Sequence, residues 1–392
     1  MRTQLSWGRG TGVAIISAVT LTLAACGGTA DSGSSSPAES GKLPAEINVV
    51  GVRDTTGPIA YAGVGAAKGT ELALEEINGG KFLGEGVQIK VTEKDSANSI
   101  ETATSEVTSA IADKNVMAIL GPAAAQQAAA AAPLAQRAKT PVVFTQAGSD
   151  GVVIGDYTFR ATAPMETYYH LNTEYLAKKG LKNVSVLYNA TFPTFAQLAE
   201  KKLPELASKD GLTIVSNTAV QSTTQDFTSP TRLIADKKPD AVAILVTAPQ
   251  AVTALKQLRQ AGYTGPVVGT SVQGGGNLKS AGEYGVGVIF PQTFSAAVQD
   301  AKAQDFVKKF EAKFGQLPDQ YAAEGYDAMW WIAKGIKASG SATRDGIQRG
   351  LTMVAGEGFE GAMGALTFEG NDVRVPGVLV KWDGKSEQLV TD

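Results

Sequence analysis

The only cysteine of this sequence, Cys26, ends an apolar run that extends from Val13 to Ala25. Arg2 and Arg9 precede the run, which is shorter than the roughly 20 residues of a transmembrane helix and is typical of an export signal. Small residues before a cysteine resemble a bacterial lipobox, in which the thiol is acylated before cleavage. We therefore predict a lipoprotein signal over residues 1–25 and a lipid anchor at Cys26. The alternative is an ordinary signal with a chance cysteine.

Side chains that could catalyse a reaction are otherwise isolated. His170 is the only histidine, so no second His or Cys can complete a zinc site with it. Gly274-Gly275-Gly276 lacks the Lys-Ser/Thr of a phosphate-binding loop and is interpreted as a turn. Glu75 and Glu76 are adjacent on a helical pattern and point apart. The sequence favours a protein that is not an enzyme and needs no metal or cofactor. An extracytoplasmic enzyme is the least favoured alternative.

The charges are nearly balanced, with 35 Lys and Arg against 38 Asp and Glu. No basic stripe is present to displace counterions from a phosphate backbone, so we expect no nucleic-acid partner. No later apolar run reaches the ~18 residues that a membrane span requires, which predicts a soluble body. A single cysteine cannot form an internal disulfide, so a hydrophobic core must stabilise the fold.

Residues 26–42 form the segment between the predicted signal and the body. From residue 27 the segment has the sequence GGTADSGSSSPAESGK, which contains no large apolar side chain. Such a composition predicts a flexible tether with a reach of roughly 20 Å.

From residue 43 onward, short β-branched runs alternate with longer helical patterns, which is typical of βα units and parallel sheets. The first helix places Ala66, Thr70, Ala73, Leu74 and Ile77 on one face. In the first series we predict strands at Ile47–Val52, Val87–Val91, Val116–Leu120 and Val142–Phe144, with further helices near Ile100–Ala112 and Ala124–Arg137.

A second series follows Arg160. Its predicted strands are Val184–Leu187, Leu212–Val215, Ala241–Val246 and Val267–Val268, and its helices lie near Glu166–Lys178, Phe195–Ala207, Ser229–Ala235 and Gln250–Ala261. Together the two series predict an α/β fold of two doubly wound, Rossmann-like lobes.

Two amphipathic helices come later, one around Phe306 and the other around Tyr326. Too few strands follow them for a third domain, so we expect them to cover the first lobe, with Trp330 and Trp331 in its core or on its surface. The end of the chain predicts two edge strands, Ala365–Phe368 and Val378–Trp382, separated by a turn at Gly370-Asn371-Asp372.

Several short motifs occur in an order that is typical of one family. They are Thr56-Gly57-Pro58, Glu75-Glu76-Ile77-Asn78, Lys94-Asp95-Ser96, Gly121-Pro122, Phe159-Arg160 with Ala163-Pro164, Asp226-Phe227, and the segment from Leu255 to Gly262. No single motif is specific to this family, but the order and spacing of the motifs together are specific. On these residues, the segment from Ile47 to Trp382 resembles the type I periplasmic solute-binding proteins of the branched-chain amino-acid (Leu/Ile/Val-binding) class, which deliver ligands to ABC importers.

The resemblance implies two lobes joined by three crossovers, with the ligand trapped between them. It places residues 43–161 and 292–368 in the first lobe and residues 162–291 and 369–392 in the second. Hinges are expected near Ala161–Pro164, Pro291–Thr293 and Phe368–Gly370, where rotation closes the lobes. The carboxyl ends of parallel strands and the N-termini of helices face such a crevice and favour a negatively charged ligand group.

In the first lobe, the resemblance implies a site for the ligand carboxylate. Ala124 and Ala125 lie where a serine of the family usually helps to bind the ligand carboxylate, so only backbone N–H groups can bind it here. The alternative is that this segment is a tight turn into a well-packed helix. Ala147 and Ser149 lie where the family supplies a backbone group and a hydroxyl. Tyr61 lies beside a position that often carries an aromatic cleft wall.

In the second lobe, Phe192, Thr247 and Ser271 fall at or near positions that usually carry two tyrosines and an acid. The acid normally pairs with the ligand ammonium. Because a buried ammonium without a counter-charge costs several kcal/mol, Ser271 argues against an α-amino acid. Glu166 could compensate or could cap a helix. Tyr168 is an aromatic wall of the cleft or part of the helix packing, and the same two alternatives apply to Tyr169.

The resemblance therefore implies a monomeric, extracytoplasmic lipoprotein that is held at the cell membrane by its lipid. It would capture a branched-chain amino acid or a related carboxylate or amide and deliver it to ABC transporter permease subunits. A ligand-sensing subunit of a membrane receptor shares this fold and is the alternative.

Overall fold

The computed structural model describes residues 42–391. The predicted signal, Cys26 and all but the last residue of the predicted tether lie outside the described residues. None of the helices in the described part is long and apolar enough to cross a membrane.

The first part of the chain alternates strands with helices. Its elements are β1 (Glu46–Arg53), α1 (Ala60–Gly79), β2 (Gln88–Asp95), α2 (Ile100–Ala112), β3 (Val116–Leu120), α3 (Ala125–Ala138), β4 (Val142–Phe144) and β5 (Thr158–Arg160).

The second part repeats the alternation. Its elements are α4 (Glu166–Lys178), β6 (Asn183–Asn189), α5 (Pro193–Gln197), a π-helical turn (Leu198–Lys202), α6 (Leu203–Lys209), β7 (Thr213–Val220), α7 (Thr228–Asp236), β8 (Ala241–Leu245), α8 (Ala248–Gln260), β9 (Val267–Val268), the 3₁₀ segments Ser271–Gln273 and Lys279–Gly285, and β10 (Ile289–Gln292).

Three helices and five short strands complete the chain. They are α9 (Ala301–Phe314), α10 (Gln320–Ser339), α11 (Arg344–Glu357), β11 (Phe359–Gly361), β12 (Gly364–Glu369), β13 (Asp372–Arg374), β14 (Val378–Trp382) and β15 (Glu387–Leu389).

These strands form two sheets, one in each lobe. The first sheet has eight strands in the order β11-β12-β13-β5-β4-β3-β1-β2, and the second has seven in the order β15-β14-β10-β9-β8-β6-β7. The strands from β1 to β5 pair in parallel, as do those from β6 to β10, whereas β12, β14 and β15 add antiparallel edges. The prediction of two doubly wound α/β lobes is confirmed.

The chain passes between the lobes three times, through residues 161–165, 293–300 and 375–377. The lobe boundary that the sequence predicts after residue 368 is wrong, because β12 and β13 form a hairpin that stays in the first sheet. The turn signal at residues 370 and 371 closes this hairpin. The third connection therefore follows Arg374 rather than Phe368.

Helix α10 packs on α1 so closely that glycine is required at two points of contact. A Cβ on Gly69 would collide with the carbonyl oxygen of Ala322, and a Cβ on Gly325 would collide with that of Ala66. As predicted, the late helices cover the first lobe. Trp331 lies in its core, where the indole N–H donates to the carbonyl of Leu351 at 3.0 Å.

Candidate functional site

The loop between β1 and α1 is fixed by Asp95, which ends β2. Its carboxylate accepts hydrogen bonds from the backbone N–H groups of Thr55 (2.9 Å) and Ala97 (2.9 Å) and from the hydroxyl of Thr56 (2.7 Å). The motifs around Thr56 and Asp95 therefore position the start of α1, which carries Tyr61, rather than line the cleft themselves.

A buried carboxylate at the end of β1 ties three loops of the first lobe together. Asp54 Oδ1 accepts hydrogen bonds from Ser96 Oγ (2.8 Å), the backbone N–H of Asn98 (2.6 Å) and Gln127 Nε2 (2.8 Å). Gln127 lies in the first turn of α3, so this network fixes the N-terminus of α3 relative to β1.

The loop after β4 is held by Arg160, the last residue of β5. The guanidinium donates to the carboxylate of Asp372 through Nε (2.7 Å) and Nη2 (2.8 Å). Its Nη1 donates to the carbonyl oxygens of Ala147 (3.1 Å) and Ser149 (2.6 Å). The Phe159-Arg160 motif is thus a support for the loop that contains two of the predicted site residues.

A cavity of about 90 Å³ lies between the lobes, at the carboxyl ends of the parallel strands. The first lobe contributes side chains from the start of α1, the start of α3, the loop after β4 and the start of α10. The second contributes residues from α4, α5, the start of α8 and the 3₁₀ segment after β9. The lining residues are Ile59, Tyr61, Ala62, Ala123, Ala124, Ala125, Gln146, Gly148, Thr162, Ala163, Met165, Tyr168, Phe192, Thr194, Phe195, Thr247, Ser271, Val272, Gln320, Tyr321 and Glu324.

Six of the nine predicted ligand-binding residues line this cavity together. They are Tyr61, Ala124, Ala125, Phe192, Thr247 and Ser271. Of the two tyrosines left open by the sequence, Tyr168 lines the cavity, and its hydroxyl donates to Ser271 Oγ at 3.2 Å. Tyr169 is buried in the core and does not line the cavity.

The other three predicted residues do not line the cavity. Ala147 and Ser149 are buried on either side of Gly148, which does line it, and their carbonyls accept from Arg160. Glu166 begins α4, where burial raises the pKa of its carboxyl. A role for these three residues in ligand binding stays a prediction.

A hydrogen bond joins the lobes across the cleft, where Tyr61 on α1 also lies beside the backbone of Ala248 at the start of α8. The backbone N–H of Asp150 donates to Gln197 Oε1 of α5 at 2.8 Å. The two lobes are therefore in contact around the cavity.

Two helix N-termini that face the cavity lack a side-chain cap. No side-chain capping hydrogen bond is made by Ala124, the N-cap of α3, or by Thr247, the N-cap of α8. The first backbone N–H groups of α3 have no partner within the helix and carry partial positive charge, so this end of the cavity suits a carboxylate.

Sequence reasoning missed the cavity residues that come from α10. Gln320, Tyr321 and Glu324 lie on the buried face of that helix and line the cavity. The ring of Tyr321 packs against that of Tyr61 with centroids 5.6 Å apart. The buried Glu324 carboxyl is the only acidic side chain among the lining residues, and it stood out in the sequence only as a charged residue within an apolar helical face.

No metal centre is built into this part of the chain. Among residues 42–391, no group of three His, Cys, Asp or Glu side chains is arranged to hold a metal ion. His170 lies on α4 outside the cavity lining.

Residues 46–385 match the family of periplasmic binding proteins. The chain is 24% identical to Leu/Ile/Val-binding protein homolog 7 of Brucella abortus, over 90% of this chain and 93% of that protein. It also superposes on two solved structures at 25% identity. One is the branched-chain amino acid transporter substrate binding protein of Streptococcus pneumoniae in complex with isoleucine (TM-score 0.78, covering 88% of this chain and 99% of that chain). The other is an ABC transporter solute binding protein of Rhodopseudomonas palustris in complex with 3,4-dihydroxybenzoic acid (TM-score 0.79, covering 88% and 96%).

The fold and the interlobe cavity define a two-lobed solute-binding protein. The chain belongs to the periplasmic binding protein family, which confirms the resemblance stated from the sequence motifs. Members of this family are extracytoplasmic proteins that bind small molecules, and they are not enzymes.

Proposed function

We propose that this protein is a lipid-anchored solute-binding protein that captures a small carboxylate ligand between its lobes and delivers it to an ABC importer. The observation that carries the proposal is the interlobe cavity, into which both lobes direct side chains and uncapped helix N-termini. Such a cavity can enclose a ligand completely, which suits capture and release better than surface recognition.

The chemistry of the lining supports a ligand with one anionic end and an apolar body. The N-terminus of α3 offers backbone donors to a carboxylate. Apolar walls come from Ile59, Met165, Phe192 and Phe195. Both relatives with bound ligands hold compounds of this kind, isoleucine in one and a dihydroxybenzoic acid in the other. A branched-chain amino acid or a related carboxylate is the ligand class that we propose.

Capture would proceed by closure of the two lobes about the three connections. Thr162 and Thr293 each lie in one of these connections. Both are buried and hydrogen bonded to the same carboxyl of the first lobe. The closed form is the one expected to dock on the permease subunits, with the protein acting as a monomer.

The proposal is tested by identifying the ligand that the native protein carries. Native mass spectrometry of the purified protein is followed by a thermal-shift panel of amino acids, keto acids, amides and aromatic acids. A true ligand at ~100 times its Kd should stabilise the fold by about 2.7 kcal/mol. A protein that retains no small molecule and is stabilised by no member of the panel would contradict the proposed function.

A further inference from the structure

Glu324 occupies an unusual position, because it lines the cavity and also contacts two of the three interlobe connections. Its carboxyl Oε1 accepts from Thr162 Oγ1 (2.8 Å) and Thr293 Oγ1 (3.1 Å), and Oε2 accepts from Gln146 Nε2 (3.3 Å). The residue is 1% exposed. Every one of these partners is a neutral donor, so the carboxyl is hydrogen bonded without a counter-charge.

The ionisable groups that face Glu324 add no positive charge. They are Asp319 and Tyr321 on its own helix, Tyr61 on α1 and Tyr168 on α4. The cavity lining, all of it within the described chain, contains no lysine, arginine or histidine. Burial, with a smaller contribution from the nearby Asp319, raises the pKa of Glu324 to about 8. A positive charge on the ligand would therefore meet an acid that is not already paired with a cation.

A buried carboxylate without a counter-charge is costly, and a cationic group at hydrogen-bond distance removes most of that cost. A ligand that carries only a carboxylate offers no such cationic group and would instead favour the protonated form of Glu324. The uncapped N-terminus of α3 and Glu324 lie on this cavity together, as a donor end and an acceptor end. The two ends match the two charged groups of an amino acid.

We infer that Glu324 binds the ammonium group of the ligand and that the ligand is an α-amino acid. This inference rests on the proposed function, and it narrows the ligand class to amino acids. In the sequence, Ser271 replaces the family acid and argues against an α-amino acid. The inference reverses that argument, because α10 of the first lobe supplies the acid that the second lobe lacks.

The inference requires a defined linkage between binding and protons. In the ligand-free protein Glu324 is mostly protonated at pH 7, since its pKa is about 8. An ammonium beside the carboxyl favours its ionised form, so binding should release a proton near pH 7. The affinity should then rise as the pH increases from 6 to 8. A ligand without an ammonium should show the opposite trend.

The test compares matched ligand pairs by calorimetric titration of the full chain. The probes are leucine with 4-methylpentanoate and phenylalanine with 3-phenylpropanoate, which differ within each pair only by the amino group. The wild type should bind the amino member of at least one pair more tightly, by at least about tenfold, and Glu324→Gln should abolish that preference. The control is Asp327→Asn, one turn along α10, which removes another buried carboxyl that bonds Ala362 and Met363 outside the cavity. It should keep the preference.

The inference would be overturned by a wild type that prefers the des-amino members, or by a Glu324→Gln variant that keeps the wild-type preference. If that variant does not fold, leucine titrations of the wild type in two buffers of different ionisation enthalpy decide the matter. Proton release supports the inference, and proton uptake or no exchange contradicts it. A protein that binds benzoate or keto acids but no amino acid refutes the role of Glu324 and leaves the proposed function standing, whereas one that binds nothing in the whole panel refutes both.

Discussion

Arg160 and Asp372 form a two-pronged ion pair that joins β5 to β13 across 212 residues of sequence. The same guanidinium holds the loop after β4 through two carbonyls. The pair therefore links the β12–β13 hairpin to a loop that borders the cavity.

Asp372→Asn should destabilise the protein, because it leaves a nearly buried guanidinium without its charge partner. We expect the free energy of unfolding to fall by about 1–3 kcal/mol, measured by urea titration. The control is Glu369→Gln, since Glu369 pairs with Arg374 while its side chain is 80% exposed. That change should cost less than about 1 kcal/mol. Equal effects of the two variants would contradict a structural role for the Arg160 pair.

Tyr61→Phe should weaken the closed arrangement of the lobes while it keeps the aromatic wall. The variant removes a hydroxyl that lines the cavity and lies beside the backbone of Ala248 in the second lobe. We expect ligand affinity to fall by about 3- to 10-fold, the range for one neutral hydrogen bond, in calorimetric titrations. Small-angle scattering should show that saturating ligand reduces the radius of gyration of the wild type.

Tyr157→Phe is the control for that variant, because the Tyr157 hydroxyl bonds Asp345 within the first lobe, at 2.6 Å. It should leave both the affinity and the scattering unchanged. Identical scattering of the wild type with and without saturating ligand would refute closure.

The stability of the ligand-free protein should decrease as the pH rises from about 5 to 8. Burial raises the pKa of Glu324 to about 8 and that of Asp327 to about 7. Over this interval the folded state binds more protons than the unfolded state, so the free energy of unfolding falls with increasing pH. Urea titrations at several pH values should show that the free energy of unfolding declines less steeply with pH for Glu324→Gln than for the wild type. A decline as steep as that of the wild type would mean that Glu324 does not titrate in this range.

Cys26→Ser should release the protein from the membrane fraction, because the variant lacks the thiol that the predicted lipobox presents for acylation. The measurement is a detergent-phase partition with mass analysis of the N-terminus. A neighbouring substitution, Ser32→Ala, is the control and should leave the protein lipid-modified. Unchanged membrane retention of the cysteine variant would refute the lipobox interpretation.

The alternation of β-branched runs and helical patterns predicted the two lobes well. Several boundaries agree with the structure, among them α2, α4, β3 and β9. Helix α11 was not predicted, since its glycines at 346, 350 and 356 weaken the helical pattern. Two of them serve local packing, as Gly350 lies against Gly335 of α10 and Gly346 against the cap of α11.

The candidate site was predicted best where loops follow strands of the two parallel sheets. Tyr61, Ala124 and Thr247 lie at such points, and all three line the cavity. Glu324 could not be found in this way, because it lies inside a helix and its partners Gln146 and Thr162 are 178 and 162 residues away. Periodicity assigns such a residue to the core, and only the fold shows that this core face reaches the cavity.

The close seam between α1 and α10 determines how the first lobe meets its ligand. Tyr61 begins one helix and Glu324 lies on the other, and the glycines at the seam leave no space for the two helices to slide. The first lobe thus presents a rigid, preformed binding surface to an incoming solute. We therefore expect a solute of the wrong shape to be rejected on first contact with this lobe, before the second lobe closes.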